Sequence, residues 1–557
     1  MKTKTERLPV VSLLLACLLG VTSHSNSQTW ERLFSKRSTD AFRHVIEAQT
    51  GGFIATGYTA DSLPNDTDAY VVRMSPLGDT LWTRTINGPL SRKDLLYKGC
   101  NIPGGFAFCG YSNSFDNVNS FESAYFAALD ESGSVLWNKI WPLNGRSRAQ
   151  EIIFTRDSAL TATGYVVTNN VFQGFVVKMT RHGDTLWSMT YNFPGSNYSD
   201  LNSIHELPDG GFIACGQCRI GNNFDIYLLR IDSAGNELWS KNIFASNGAN
   251  ENGECVELSG TGFMLCGSTD STSANGTTDA IILSTDTTGN PQWTRVLGGP
   301  TENDDLHQIA PVNDGGWVLC GTTRAFGPPR PNIWVVRIDS IGNPVWDKTF
   351  GGANHDHGYS AIQTSDGDFM AAGYASSFNF FAEDAYLIRM NPAGELGDHL
   401  KYGTVTGVVS PGEFSCAGNV QPVVTIANMG RDTISGFDVT LTYSGGVNGS
   451  ITWNYPGAIY PGDVVLDSCP TPVSMSGTSC QVDFQVTLDI ENDVYPQRNS
   501  YDVARNIIQP PVATGATRCG PGSILLQASN YCENLLWFRS AQGGAIINSG
   551  NSINVNA

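Results

Sequence analysis

The sequence predicts an all-β protein: a seven-bladed β-propeller, then an immunoglobulin-like β-sandwich and a partial second sandwich. Three observations carry that reading. Tryptophan recurs at Trp30, Trp82, Trp137, Trp187, Trp239, Trp293 and Trp346, 50 to 55 residues apart. After Trp30, each one closes the same Gly-x-x-x-Trp phrase, as in Gly78-Asp79-Thr80-Leu81-Trp82 and Gly235-Asn236-Glu237-Leu238-Trp239. Between them lie short runs rich in Val, Ile, Tyr and Phe, bounded by Gly, Asp and Asn, which read as strands. A period of this length means one structural unit repeated.

Composition agrees. The chain has 557 residues, 60 of them Gly, with only 15 % charged. That is the profile of a turn-rich exported protein, and the length admits two to four domains. A formal net charge of −19 argues against nucleic-acid binding, which needs a basic face.

Residues 1–27 read as a secretory signal. Lys2, Lys4 and Arg7 precede the apolar run from Leu8 to Val21, which is too short for a membrane anchor, and cleavage is placed near Ser27. Leu14-Leu15-Ala16-Cys17 offers lipidation at Cys17 as an alternative. The expected location is secreted, or the outer surface of a Gram-negative cell, with no membrane span.

Residues 28–400 hold the repeat. One phrase runs from Gly-aromatic to Gly, as in Gly52-Phe53-Ile54-Ala55-Thr56-Gly57 and Gly316-Trp317-Val318-Leu319-Cys320-Gly321. A second is a β-branched run, as in Ile226-Tyr227-Leu228-Leu229-Arg230-Ile231, and it occurs seven times. Asp209-Gly210, Asp314-Gly315 and Asp366-Gly367 supply the positive φ of tight hairpins. Four antiparallel strands per unit make a propeller blade. The last copy lacks a Trp strand, and the isolated Trp30-Glu31-Arg32-Leu33-Phe34 is expected to complete it and close the ring.

These phrases resemble the delta-60-type repeats of secreted bacterial β-propellers and are similar to pyrroloquinoline-quinone-type repeats. The resemblance covers about residues 28 to 400 and implies fold rather than activity. Residues 403–508 alternate without the repeat, as in Phe437-Asp438-Val439-Thr440-Leu441-Thr442-Tyr443, and read as an immunoglobulin-like sandwich. Asn428-Met429-Gly430 and Tyr460-Pro461-Gly462-Asp463 resemble adhesion-type sandwiches of type IX secretion cargo. Residues 512–557, with Cys519-Gly520-Pro521-Gly522 and Trp537-Phe538, read as the first part of a further immunoglobulin-like domain. At that length the chain reads as a fragment of a longer protein.

Cys109, Cys215, Cys266 and Cys320 share one column of the repeat with Thr56, Thr163 and Ala372, which reads as a small buried position. Cys255 falls opposite Cys266 across a hairpin, so a cross-strand disulfide is one expectation. Cys519 with Cys532, and two of Cys416, Cys469 and Cys480, are others.

Candidates for chemistry are few. Asp94, Asp200, Glu251 and Asp305 precede the first strand of several units and would gather as an acidic ligand face at one mouth; the competing reading is local turn capping. His355-Asp356-His357 breaks the repeat and offers two imidazoles on one side of a strand for a metal. No cofactor is expected; the alternative is calcium, since Glu302-Asn303-Asp304-Asp305 resembles part of a calcium loop although the EF-hand pattern is absent. No nucleophile elbow, phosphate loop or H-E-x-x-H occurs. The expected function is a non-catalytic exported or surface propeller, used in binding or adhesion to a glycan or protein ligand, with sandwiches as spacers. The alternative is a propeller-funnel enzyme, quinoprotein-like or carbohydrate-active. Convergent, non-repeating polar residues in the funnel would favour the enzyme. A uniform wall would favour binding or scaffolding.

Overall fold

The computed structural model describes residues 29–36, 39–60 and most of the chain from 66 to 556; short stretches such as 116–120, 515–522, 530–535 and 539–545 fall outside the description. The expected signal segment with Cys17, and Cys519 and Cys532, lie outside the described residues.

Between Trp30 and Met390 the described residues form seven four-stranded antiparallel sheets. The first runs Thr39–Glu47, Phe53–Ala60, Thr67–Met74, Thr80–Ile86. The next five repeat that order, opening with Asp94–Ile102, Arg146–Phe154, Ser203–Glu206, Glu251–Leu258 and Asp304–Pro311. The seventh opens with Asp356–Gln363 and takes its fourth strand from the N-terminus: Trp30 pairs with Arg389 and Leu33 with Tyr386.

Burial follows strand position. The third strand of the first sheet, Thr67–Met74, is buried at every residue. Such a strand is covered on both faces, so its sequence is a continuous apolar run rather than an alternation. The fourth strand, Thr80–Ile86, is largely exposed. The covering comes from neighbouring sheets. The first strand of each sheet touches the first strand of the next, and Thr39–Glu47 touches Asp356–Gln363. Each interface holds its own apolar cluster; Phe42, Tyr70, Met370 and Leu387 sit between the first and seventh sheets. Sheets stacked face to face around a closed ring are the arrangement of a β-propeller.

The Gly-x-x-x-Trp phrase is explained by this stacking. Each Trp lies on the turn glycine of the next sheet: Trp82 on Gly133, Trp137 on Gly183, Trp187 on Gly235, and so on to Trp346 on Gly394. Trp30 lies on Gly78, completing the circuit. Those glycines have positive φ, +79° at Gly133, and a Cβ there would strike the indole.

Beyond the ring, Gly403–Ser410, Val423–Asn428 and Val464–Ser468 form one sheet. Ile434–Ser444, Gly449–Ile459, Gln481–Asp489, Ser500–Ile508 and Phe414–Cys416 form another. Val424 and Ile426 of the first share one core with Val439, Leu441, Phe484 and Val486 of the second. The last described strands include Ser523–Ser529 paired with Ser552–Asn556. No helix among the described residues is long and apolar enough to cross a membrane.

Candidate functional site

The first strands share one irregularity. In six of the seven sheets the register against the second strand slips by one residue, leaving Arg43, Tyr97, Gln150, Glu254, His307 and Tyr359 unpaired. In the fourth sheet Asn202, just before Ser203–Glu206, holds the equivalent place. A bulge turns its extra residue away from the ladder. All seven of these side chains line one cavity of about 340 Å³, together with Lys98 and Arg148. The centre of the ring is therefore walled by one residue type after another: Arg, Tyr, Gln, Asn, Glu, His, Tyr.

The bulge also accounts for the glycine that ends the Gly-aromatic phrase. It brings the backbone of the first strand against Gly57, where a Cβ would overlap the Ala41 carbonyl. The same clash with a first-strand carbonyl arises at Gly110, Gly164, Gly216, Gly267, Gly321 and Gly373.

In every sheet but the sixth, the residue after the cavity-lining one ties to the neighbouring sheet. Ser360 Oγ accepts from the Val45 amide at 3.2 Å. His44 Nδ1 accepts from Gly99 at 3.3 Å. Lys98 pairs with Glu151 at 2.8 Å. Glu151 accepts from the Ile204 amide at 2.8 Å, and Ser203 Oγ from Val256 at 3.2 Å. Cys255 donates to the Ile309 carbonyl at 3.7 Å. These links run from the seventh sheet round to the sixth, so the layer behind the cavity wall is structural. Burial, helped by Lys98, pushes the His44 imidazole down to about 3 and keeps it a neutral acceptor. Burial opposes the charge of Lys98, but Glu151 outweighs it and holds the ammonium protonated.

On the cavity wall itself, Arg148 is neutralised. It grips Glu122 through Nε and Nη2, both at 2.7 Å, and lies 4.4 Å from the Tyr111 ring centre. Arg43 is different. Its guanidinium lies 3.9 Å from the Tyr359 ring centre, 5.8 Å from Tyr58 and 5.9 Å from Tyr97. Burial pushes the Tyr58 hydroxyl up to about 12 against the pull of Arg43, so that tyrosine is neutral, and Glu383 is the carboxylate that feels Arg43 through space.

The residues expected from sequence lie elsewhere. Asp94, Asp200 and Glu251 are buried, and their carboxylates serve their own loops. Asp94 accepts from the Gly88 amide at 3.0 Å and Ser114 Oγ at 2.6 Å. Asp200 accepts from Gln217 N at 3.0 Å and Tyr198 OH at 2.9 Å. Glu251 accepts from Thr269 Oγ1 at 3.1 Å. In the sixth sheet Asp304 matches Asp94 and Glu251 and accepts from Gly299 N at 2.9 Å, while Asp305 matches Asp200 and caps the Thr322 amide at 3.0 Å, so the four expected residues belong to two columns. These carboxylates do not converge on one exposed face.

In His355-Asp356-His357, Asp356 turns inward and accepts from Ser377 Oγ at 2.5 Å and Gly352 N at 2.9 Å. His357 stacks on Tyr374 at 4.9 Å, and burial lowers it to about 4. His355 faces Arg330 at 3.4 Å. Among the described residues no group of three or more His, Cys, Asp or Glu is placed to hold a metal ion.

Cys255 and Cys266 are register partners, yet both are free buried thiols. The expected bridge is thus not formed: each thiol packs into apolar surroundings, and that of Cys255 is engaged by the Ile309 carbonyl. Cys480 is in a disulfide, whereas Cys469 is free.

No family model and no curated protein matches the chain. Solved structures similar in outline include Sqt1 from Chaetomium thermophilum, at 12% identity over 66% of this chain and 98% of that one, with a TM-score of 0.37. Another is the Pan2 WD40 domain of Neurospora crassa, at 9% identity over 63% and 89%, with a TM-score of 0.40. A third is the β-propeller domain of the Trilobed protease from Pyrococcus furiosus, at 10% identity over 66% and 97%, with a TM-score of 0.36. At these values the likeness says nothing of activity, and the ring architecture stands on its own strand pairing and contacts.

Proposed function

We propose that this chain is an exported or cell-surface binding protein. Its ring is a seven-bladed propeller that takes a ligand into the central channel, and its immunoglobulin-like sandwiches serve as spacers in an adhesion-type architecture. One observation carries the reading: seven equivalent positions, six of them at bulges, deliver side chains of mostly different chemistry to a single cavity. Their convergence on one cavity supports a ligand more than their variety does, since the structural layer behind the wall, from His44 and Lys98 to Cys255 and Ser360, varies as much.

By the criterion drawn from the sequence, a non-repeating polar wall favours the funnel enzyme over a uniform binding surface, so the binding reading rests on the chemistry that the enzyme versions lack. The carbohydrate-active version of that reading is weakened by the carboxylate count. Glycoside hydrolysis ordinarily uses two carboxyl groups flanking the bond, and Glu254 is the one carboxylate on the described wall. The quinoprotein version would use a vicinal Cys-Cys pair, and no two cysteines are adjacent.

A glycan array read with the full mature chain, followed by thermal melts, tests the proposal. A ligand present at 100 times its Kd should add about 2.7 kcal/mol of stability. Gln150→Ala combined with Tyr359→Ala should abolish that gain. A gain that survives both changes would place binding outside the channel.

A further inference from the structure

The cavity wall carries three cations, and two of them are spoken for. Lys98 is paired with Glu151 and Arg148 with Glu122. Arg43 makes no ion pair among the described residues, and its buried Nε has no hydrogen-bond partner. Tyr58, Tyr97 and Tyr359 shape a slot around its planar group without neutralising it. Glu383 acts on Arg43 through space, outside ion-pair distance. A guanidinium is charged at every physiological pH and presents a rigid fork of donors that matches a carboxylate.

The remainder of the wall is of a different kind. Gln150, Asn202 and Glu254 offer acceptors and amide donors suited to hydroxyl groups, and the tyrosine faces suit the C–H surface of a sugar ring. Glu254 also makes no ion pair among the described residues. Its charge in the same cavity weighs against a dianion such as a phosphate monoester. Arg43 supplies the one cation free to meet an anion, and Glu254, held by Asn252 Nδ2, repels two negative charges more than one, which favours a single carboxylate over a dianion on a ligand with several hydroxyls.

We infer that the channel binds a hexuronic acid, its carboxylate on the Arg43 guanidinium and its hydroxyls toward Gln150, Asn202 and Glu254. This rests on the channel being the ligand site. The acid could be free or the end of a surface polysaccharide; the recognising chemistry is the same.

Calorimetric titration of the full mature chain with galacturonic acid, its methyl ester, galactose and a galacturonate trisaccharide tests the inference. The acid should bind about tenfold or more tightly than the ester or galactose, the effect of losing a charged hydrogen-bonded pair. Arg43→Gln should erase that preference, and Arg43→Lys should retain part of it. Lys139→Gln, on an exposed outer strand, should change nothing. Trisaccharide binding equal to or tighter than the free acid assigns the polymer as source; binding of the free acid alone assigns the monomer. Equal binding of acid and ester, or no binding of the acid, overturns the inference. The channel reading itself then stands or falls on the Gln150 and Tyr359 variants. If Arg43→Gln does not fold, the acid-to-ester comparison on the native chain decides.

Discussion

Arg389 shows what single residues do in this ring. It is almost wholly buried on the third strand of the seventh sheet, bonded to Asp368 at 3.0 Å, to Asp366, and across the ring seam to the Pro76 carbonyl at 2.6 Å. Arg230 with Asp209, Arg337 with Asp314 and Lys178 with Asp157 repeat the motif, each fastening an Asp-containing hairpin to the strand beside it. Removing one partner of a buried pair leaves a charge without compensation. Arg389→Met is expected to cost about 3 kcal/mol in urea unfolding, and adding Asp368→Asn to recover part of it. The buried histidines set the acid behaviour. His44 and His357 are held well below 6.5, so the folded state binds fewer protons than the unfolded one. Their stability contribution is present above 6.5 and is lost as pH falls toward 4 and 3. Asp200 and Asp356, pushed up to about 6 by burial, act in the opposite sense: their contribution is present below about 4 and is lost as pH rises through 6. The two effects oppose each other between about 4 and 6, and below 4 the loss from His44 continues beside that of carboxylates held low by hydrogen bonds and ion pairs, such as Asp157 and Asp366. His44→Gln, which keeps an acceptor for Gly99, should therefore flatten the decline of the unfolding midpoint below pH 4. An unchanged slope would mean His44 is protonated in the native state.

At the scale of the element, most of the strand plan was legible in the sequence, because its phrases are direct records of contacts. Gly-x-x-x-Trp encodes an indole lying on a turn glycine of the next sheet. The Gly-aromatic-to-Gly phrase encodes a bulge pressing on a backbone with no Cβ. The indole-covered turn glycines and the open hairpin glycines, both at positive φ, make separable predictions. Gly315 has φ +87° and open space around it, so Gly315→Ala should cost only the left-handed strain, about 1–2 kcal/mol. Gly342 has φ +86° and lies under Trp293, so Gly342→Ala should cost about 1–3 kcal/mol more. Equal costs would mean the indole is free to move. The channel residues were not picked out because a bulge shifts the period by one. Arg43 and Tyr359 sit at positions that alternation alone assigns to the ladder. The same shift is why Asp200 and Asp305 looked like members of the column that Asp94, Glu251 and Asp304 occupy. Counted back from the phrase-ending glycine, the channel residues lie 14 positions away in five copies and 13 in two, and the residue after each also changes chemistry from copy to copy, so no single column marked them.

For the molecule as a whole, the N-terminal strand is the clasp. Trp30 is buried against Gly78 and Phe53, and Leu33 and Phe34 pair beside Tyr386 and Ala385. Trp30→Ala should cost about 3–5 kcal/mol, as large aromatic truncations do, and should loosen the first and seventh sheets before the others in hydrogen exchange. The outer rim is unlike the channel. Leu81, Leu136, Leu186, Leu238 and Val345 are each more than half exposed at one repeated position, giving an apolar belt that is the same in most sheets. Binding there would be indifferent to which sheet is altered. Binding in the channel would not be. Crystals of the full chain soaked with galacturonate distinguish the two most directly. Density for the sugar between Arg43, Tyr359 and Glu254 is the expected result. Density on the Leu81–Leu238 belt or on the sandwich sheets, with the channel unoccupied, would contradict the assignment of the ring's centre as the binding site.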